Sequence, residues 1–196
     1  MSTVAAPAPS TLADVIPRGS TRAGAIVRDV ALVITGAVLV GLAAQVAVPL
    51  PFTPVPLTLQ TGAVLLTVAA LGSKRGLWSM GLYLMAGVAG VGWFSGGQSG
   101  YAFATFGYVV GFLVAALLVG RLAELGADRK VHTTVGLMVL GNLAIYAIGV
   151  PGLMLATGMD LGTALAKGVL PFLIGDAIKI AAAAALLPLT WKLVRR

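Results

Sequence analysis

Several kinds of reactive residue are missing or scarce in this sequence of 196 residues. It contains no cysteine, which excludes disulfide bonds, thiolate metal sites and thiol catalysis. It contains one histidine, His132, and its few carboxylates are scattered, so a catalytic metal site is not expected. No G-x-x-x-x-G-K-[ST] motif is present, so the chain does not hydrolyse ATP with a Walker-type phosphate loop.

Charged residues are also scarce, at 10% of the chain, whereas hydrophobic residues make up 59% and the mean hydropathy is +1.01. This composition lies far outside that of soluble domains and predicts an integral membrane protein. The length suits six spans of about 20 residues each and leaves no room for a separate soluble domain.

Six apolar segments bounded by glycine, proline or charge are each long enough to cross, or nearly cross, the hydrocarbon core as a helix. They lie at residues 29–48, 56–72, 77–94, 102–122, 134–156 and 169–191. No alternation of polar and apolar residues suggests a β-barrel. We therefore predict an all-α membrane protein with a flexible cytoplasmic N-terminal tail at residues 1–27 and a six-transmembrane-helix bundle at residues 28–196.

The positions of Lys and Arg predict the orientation, because these residues concentrate on the cytoplasmic side of membrane proteins. Eleven of the thirteen flank the spans on one side: Arg18, Arg22, Arg28, Lys74, Arg75, Arg121, Arg129, Lys130, Lys192, Arg195 and Arg196. The opposite connections contain only Lys167, and Lys179 lies within the last span. Both termini are therefore predicted to be cytoplasmic, in the inner (cytoplasmic) membrane. The net charge of +7 follows this topology, so no nucleic-acid partner is expected.

Two connections on the predicted outer side differ chemically from the inner ones. VPLPFTPVPLTLQT (48–61) carries four prolines, which fix the backbone and stop either flanking helix from continuing, so we expect a stiff cap. FSGGQSGYAF (94–103) supplies glycines whose backbone amides can approach a ligand closely. The composition of both segments is equally compatible with ordinary helix connectors.

The last predicted span contains two opposite charges, Asp176 and Lys179, in the sequence GDAIK. An ionisable residue in a span costs roughly 2.5 to 3.5 kcal/mol on insertion scales, so it normally faces the protein interior or a wet cavity. Because they are three residues apart, the two side chains share one helix face in the outer half of the span. We interpret them as the centre of a small-molecule site, in which the carboxylate accepts an N–H and the ammonium donates to an acceptor. The alternative is a structural ion pair, although apolar residues usually serve packing at no greater cost.

Other polar or small residues inside the spans have two interpretations each. Asn142 and Tyr146, at i and i+4, and Gln60 either form interhelical hydrogen bonds or contact a ligand. Ala37 and Gly41, at a four-residue spacing, allow either close packing within the bundle or a surface for a partner.

The sequence GQSG (97–100) raises one enzymatic alternative, since G-x-S-G surrounds the nucleophile of rhomboid intramembrane serine proteases. That chemistry needs a base within hydrogen-bond reach of Ser99. His132 is predicted to lie across a bilayer about 30 Å thick, so a protease is not expected.

Four motifs together resemble the BioY family, the biotin-specific, membrane-embedded substrate-binding components (S components) of energy-coupling factor (ECF) transporters. They are VPLPFTPVPLTLQT, GSKRG with LYLMAGVAG after it, FSGG and GDAIK. The resemblance covers about residues 28–192 and implies a six-helix bundle with a biotin pocket in its outer half.

In the family, the residues matching Asp176 and Lys179 hydrogen-bond biotin, and the proline-rich loop covers the site. We assign further substrate contacts to the glycine-rich segment and to the fourth and fifth predicted helices. These candidates are Phe94, Gln98, Ser99, Tyr101, Tyr108 and Asn142. The family's arginine for the ligand carboxylate has no match, because the outer connections contain no arginine.

The resemblance also implies partners besides biotin and membrane lipid. S components work with a transmembrane coupling protein and two cytoplasmic ATPases, and small residues of the first helix, here Ala37 and Gly41, would contact the coupling protein. Neither a cofactor nor an enzymatic activity is implied. An S component for another vitamin and a self-sufficient secondary transporter are the alternatives within transport.

Overall fold

The computed structural model describes residues 10–17 and 19–194, and helices dominate it. Within these residues the α-helices are α1 (Arg22–Gln45), α2 (Gln60–Val88), α3 (Phe106–Glu124), α4 (Val131–Thr157), α5 (Leu161–Gly168) and α6 (Leu173–Val194). Short 3-10 turns lie at Leu12–Val15, Ser95–Gly97 and Leu170–Phe172, and two strands, β1 (Ala47–Val48) and β2 (Leu57–Thr58), pair antiparallel. The predictions for residues 1–9, 18, 195 and 196 lie outside the described residues.

Four of the described segments are long and apolar enough to cross a membrane. They are Arg22–Gln45, Phe106–Glu124, Val131–Thr157 and Leu161–Val194, and Gln60–Leu71 is a shorter apolar helix. The prediction of an all-helical membrane protein is therefore confirmed.

α2 is a hairpin of two helical halves. Gly72 in its middle has φ 82° and ψ 177°, a conformation that only glycine adopts readily. The Gln60 side-chain N–H donates to the Tyr83 hydroxyl at 2.9 Å, although these residues are 23 positions apart and would be separated by about 34 Å in one continuous helix. The chain therefore reverses at Gly72, and the two halves occupy the places of the predicted helices at 56–72 and 77–94.

The N-terminal region differs from the flexible tail predicted for residues 1–27. α1 already begins at Arg22. Before it, Thr11 is 2% exposed, and the carboxylate of Asp14 pairs with Arg75 at 3.1 Å. This segment lacks an apolar run, so the sequence pattern did not reveal that polar contacts to α2 hold it in place.

The core of the bundle is apolar and centres on α2 and α3. α3 packs against α2 and α4, α1 packs on α2, and α6 packs mainly on α4. Core side chains from these helices include Val40, Val64, Leu65, Val68, Met80, Phe112, Val119, Leu137, Ile145 and Leu187.

The small residues of α1 lie inside this packing. Ala37 has no exposed surface, and Gly41 is buried where a side chain would meet the ring of Trp93. Because these two residues are small, α1 can pack closely against its neighbours. The prediction that Ala37 and Gly41 form a partner surface is therefore wrong, and the alternative of internal packing accounts for both residues.

Candidate binding site

A cavity lies among α2, α3, α4 and α6, at the end of the bundle where the proline-rich connection and the segment 94–105 meet. Its walls are mainly aromatic and aliphatic; its two charged groups come from α6, and its polar side chains come from α2, α3, α4 and the connecting segments. The lining residues are Val55, Pro56, Thr58, Gln60, Thr61, Phe94, Ser95, Phe103, Thr105, Tyr108, Val109, Phe112, Tyr146, Gly168, Phe172, Asp176 and Lys179. Such a mixed lining is typical of small-molecule sites.

The charged pair of the last helix lines this cavity. Asp176 is 5% exposed and lies in the first turn of α6, where the helix dipole stabilises a carboxylate. The Lys179 Nζ lies 3.3 Å from Asp176 Oδ1, on the same helix face, as the spacing predicted. The pair is electrically neutral overall, which lowers the cost of its burial.

Two further helices hold this pair in place. The Tyr146 hydroxyl on α4 donates a hydrogen bond to Oδ2 of Asp176. On the other side, the Lys179 Nζ donates to the Thr61 hydroxyl on α2 at 2.8 Å. For Tyr146 the sequence left open an interhelical hydrogen bond or a ligand contact, and the structure shows the interhelical bond; Thr61 was not predicted. The i, i+4 spacing of Tyr146 from Asn142 was a weak signal for the first, and the sequence carried none for the second.

Hydrogen-bonding capacity remains at both charges. A carboxylate has about four acceptor positions and an ammonium has three donors. Tyr146 and Lys179 use part of the capacity of Asp176, while Thr61 and Asp176 take up two donors of Lys179. The pair can therefore accept from N–H groups of a ligand and donate to an oxygen of the same ligand.

Gln60 adds a neutral polar group to the cavity. Its side-chain N–H is occupied by the Tyr83 hydroxyl at 2.9 Å, and that hydroxyl in turn donates to the Trp93 carbonyl at 3.1 Å. These bonds orient the amide, and no described residue donates a hydrogen bond to its carbonyl oxygen. The prediction left open whether Gln60 forms an interhelical hydrogen bond or contacts a ligand; the structure shows the hydrogen bond to Tyr83 and places the amide in the cavity wall.

Two of the other predicted contacts line the cavity, and a third lies next to it. Phe94 is fully buried and forms part of the aromatic wall with Phe103, at a ring-centroid distance of 5.4 Å. Tyr108 also lines the cavity. Asn142 is 8% exposed and lies beside a smaller adjoining cavity, which shares Lys179 with the main one.

The remaining predicted contacts, Gln98, Ser99 and Tyr101, lie outside this cavity. The Phe94 N–H donates to the Gln98 carbonyl at 3.1 Å and the Gly97 N–H donates to the Phe94 carbonyl at 3.0 Å. This tight turn buries Phe94 and leaves Gln98 and Ser99 exposed; Tyr101 is 71% exposed. The prediction that these three side chains face the substrate is wrong in this conformation.

Two hydrogen bonds tie the covering segments to the bundle. The Thr53 hydroxyl in the proline-rich connection donates to the Lys167 carbonyl at 2.7 Å. Next to it, the Tyr108 hydroxyl donates to the Gly168 carbonyl at 2.9 Å. The proline-rich connection, the end of α5 and the cavity wall are thus joined over the site.

The spans and the cavity define a helical, multi-pass membrane protein with a candidate small-molecule site. The chain belongs to the BioY family, whose model matches residues 12–196. It is 34% identical over 151 residues to the biotin transporter BioY2 of Lactococcus lactis subsp. cremoris, covering 76% of this chain and 81% of the relative. It is 31% identical over 170 residues to the biotin transporter BioY of Rhizobium etli, covering 81% and 90%.

A solved structure has the same fold. The crystal structure of the S component for biotin from an ECF-type ABC transporter superposes with a TM-score of 0.77, covering 89% of this chain and 95% of that chain. The sequence identity is 21%, so this similarity concerns the fold.

Proposed function

We propose that this protein binds biotin in the cavity around Asp176 and Lys179 and takes it up across the cytoplasmic membrane, without chemical change and without a cofactor. The observation that carries this proposal is the buried acid and lysine pair, with acceptor and donor capacity left over, inside an aromatic wall. Family membership and relatives named as biotin transporters support it.

The chemistry of biotin suits these groups. Its ureido ring presents two N–H donors and one carbonyl acceptor, and its thioether ring and chain are apolar. Asp176 would accept from a ureido N–H, Gln60 offers a second acceptor, and aromatic residues such as Phe94 and Phe103 would cover the rings. Lys179 would donate either to the ureido oxygen or to the ligand carboxylate.

We propose further that the protein acts as the S component of an ECF transporter, with a transmembrane coupling protein and two ATPase subunits supplying the energy. The similarity in fold to such a component supports this assignment. Biotin uptake by cells that contain this protein but lack any coupling module would show a self-sufficient transporter instead.

In this proposal the chain crosses the membrane six times, and both termini are cytoplasmic. Because the chain reverses at Gly72, each half of α2 accounts for one crossing. The eleven basic residues that flank the spans on one side support the orientation, since such residues concentrate on the cytoplasmic side. Because the chain has no cysteine, single cysteines can be labelled with an impermeant maleimide in intact cells. Ser99→Cys, an exposed and nearly isosteric change in the outer connection, should react from outside, whereas Lys130→Cys should react only after the membrane is opened.

Equilibrium binding with a panel of vitamins tests the substrate. We expect biotin to bind the purified protein tightly and to be displaced by no other vitamin. Displacement by a different vitamin would show an S component of another specificity. Folded protein that releases no heat with biotin and shows no competition would contradict the proposal.

A further inference from the structure

A long apolar groove runs along the outside of the bundle, between α1 and the second half of α2. It is open to the outside, has a volume of about 970 Å³ and is separate from the cavity around Asp176. Exposed apolar side chains of both helices line it: Ile26, Val30, Ile34, Trp78, Leu82 and Met85. Gly81 also lines it, and no atom lies within 4 Å of where its Cβ would be, so the groove is open at that point.

The length of the groove matches one leaflet of a bilayer. From Arg22 to Ile34 the helix rises about 18 Å, and half of the hydrocarbon core is about 15 Å. Trp78, which is 72% exposed, lies one turn beyond Lys74, at the depth where tryptophan marks a membrane interface.

One end of the groove carries an excess of positive charge. Arg22 and Lys74 both line this end, and neither has an ion pair or hydrogen bond with another side chain among the described residues. Asp29 and Arg75 line the same end, but their charges are compensated within one network: Arg75 lies 3.1 Å from both Asp14 and Asp29, and Arg28 lies 2.8 Å from Asp29, so two arginines balance two aspartates. Two cations are thus left at the headgroup end of an apolar channel that is one leaflet long.

We propose that this groove binds an anionic phospholipid, with its phosphate between Arg22 and Lys74 and an acyl chain along Val30, Ile34 and Met85. A zwitterionic lipid has no net negative charge and would not compensate the positive charge of Arg22 and Lys74. A purely apolar partner helix would offer neither cation an interaction partner. The site depends neither on biotin binding nor on the orientation of the chain, since the cations and the apolar walls lie in the same leaflet in either case.

Lipid binding to the purified full-length protein tests whether Arg22 and Lys74 bind the phosphate. We expect phosphatidylglycerol to bind more tightly than phosphatidylcholine by native mass spectrometry. The double variant Arg22→Gln, Lys74→Gln should lose about thirtyfold in affinity for phosphatidylglycerol, from the attraction of two basic residues at a membrane surface. Lys130→Gln, Lys192→Gln removes the same charge away from the groove and should stay within about twofold of the wild type.

The acyl part of the site has its own test. Gly81→Leu fills the groove without altering any charge, and the open space around Gly81 lets the helix accommodate the side chain. It should weaken phosphatidylglycerol binding at least about tenfold while the circular dichroism spectrum is unchanged. Inorganic phosphate should not compete, because it lacks the acyl chain.

Equal affinity for the two lipids, or full phosphatidylglycerol binding in both groove variants, would overturn the proposal. Competition by inorganic phosphate would show an anion site without a lipid. Groove variants that keep phosphatidylglycerol but lose a coupling protein would show that the groove docks a protein.

Discussion

At the scale of single residues, the site depends on how Asp176 and Lys179 are held. Each charge contacts the other and one hydroxyl from a neighbouring helix, Tyr146 or Thr61. The burial of both groups means that a lost partner is not replaced freely by water, so small changes here should have large effects on binding.

Removing either charge should weaken biotin binding strongly. We expect Asp176→Asn and Lys179→Ala each to cost about 2 kcal/mol or more, or about thirtyfold in affinity, because a buried charge-assisted hydrogen bond is lost. Titration calorimetry measures the loss. Ser99→Ala and Gln98→Ala, on exposed side chains outside the cavity, are matched controls that should bind like the wild type. Wild-type affinity in both charge variants would indicate a structural ion pair.

Tyr146 should act through Asp176. In Tyr146→Phe the ring remains in place but the hydroxyl bond to the carboxylate is lost, so we expect about tenfold weaker binding, from about 1.5 kcal/mol. The same substitution in an Asp176→Asn background should have a smaller effect, because the bond to the charged carboxylate is already absent. Additive losses in the double variant would argue that Tyr146 contacts the ligand independently.

At the scale of elements, the reversal of α2 is the clearest departure from regular helix. Gly72 has a φ of 82°, and a Cβ there would lie 2.9 Å from both the Glu124 carboxylate and the Thr11 methyl group. Backbone conformation and space therefore both require glycine at the turn.

Gly72→Ala should accordingly destabilise the fold by about 1 to 3 kcal/mol, the cost of a conformation that other residues avoid. Thermal unfolding in detergent measures the change. Gly81→Ala is the matched control, since Gly81 is helical and open, and it should leave the stability unchanged or raise it by up to about 1 kcal/mol. Equal unfolding temperatures for wild type and Gly72→Ala would show that the turn tolerates a side chain.

At the scale of the whole molecule, a polar network joins the elements at the end opposite the cavity. Asp14 of the N-terminal segment accepts hydrogen bonds from Ser10, Thr11 and Arg75. Arg75 also bonds Asp29 of α1 at 3.1 Å. The N-terminal segment, α1 and the turn of α2 are therefore linked through charges that depend on pH.

Acid should weaken this network. Burial by itself would raise the pKa of Asp14, but the hydrogen bonds from Ser10, Arg75 and Thr11 and the charge of Arg75 hold that pKa well below its ordinary value of 3.8. Since the pKa is lower in the folded state, the stabilisation is fully present above about pH 4 and decreases as the pH falls toward the folded-state pKa.

The variant Asp14→Asn tests this linkage. At pH 7 it should unfold at a lower temperature than the wild type, because it lacks the charge that pairs with Arg75. The difference should narrow below about pH 4, because the carboxyl of the unfolded wild type takes up a proton there while that of the folded protein still resists protonation. Unfolding temperatures measured between pH 7 and pH 2 check the prediction, and a constant difference across that range would contradict it.

The sequence by itself determined the features that depend on local pattern. Apolar length predicted the helices, the four prolines of 48–61 predicted the break between α1 and α2, and the three-residue spacing of Asp176 and Lys179 placed both on one helix face. These follow from the rise and period of a helix and from backbone sterics, which act over a few residues.

Only the tertiary structure decided which residues meet across helices. It brought Tyr146 and Thr61 to the charged pair, turned Gln98 and Ser99 outward at a tight turn, and buried Ala37 and Gly41 inside the bundle. Such contacts depend on how helices far apart in sequence pack side by side. A membrane helix is apolar on all sides, so its sequence alone does not show which face turns inward.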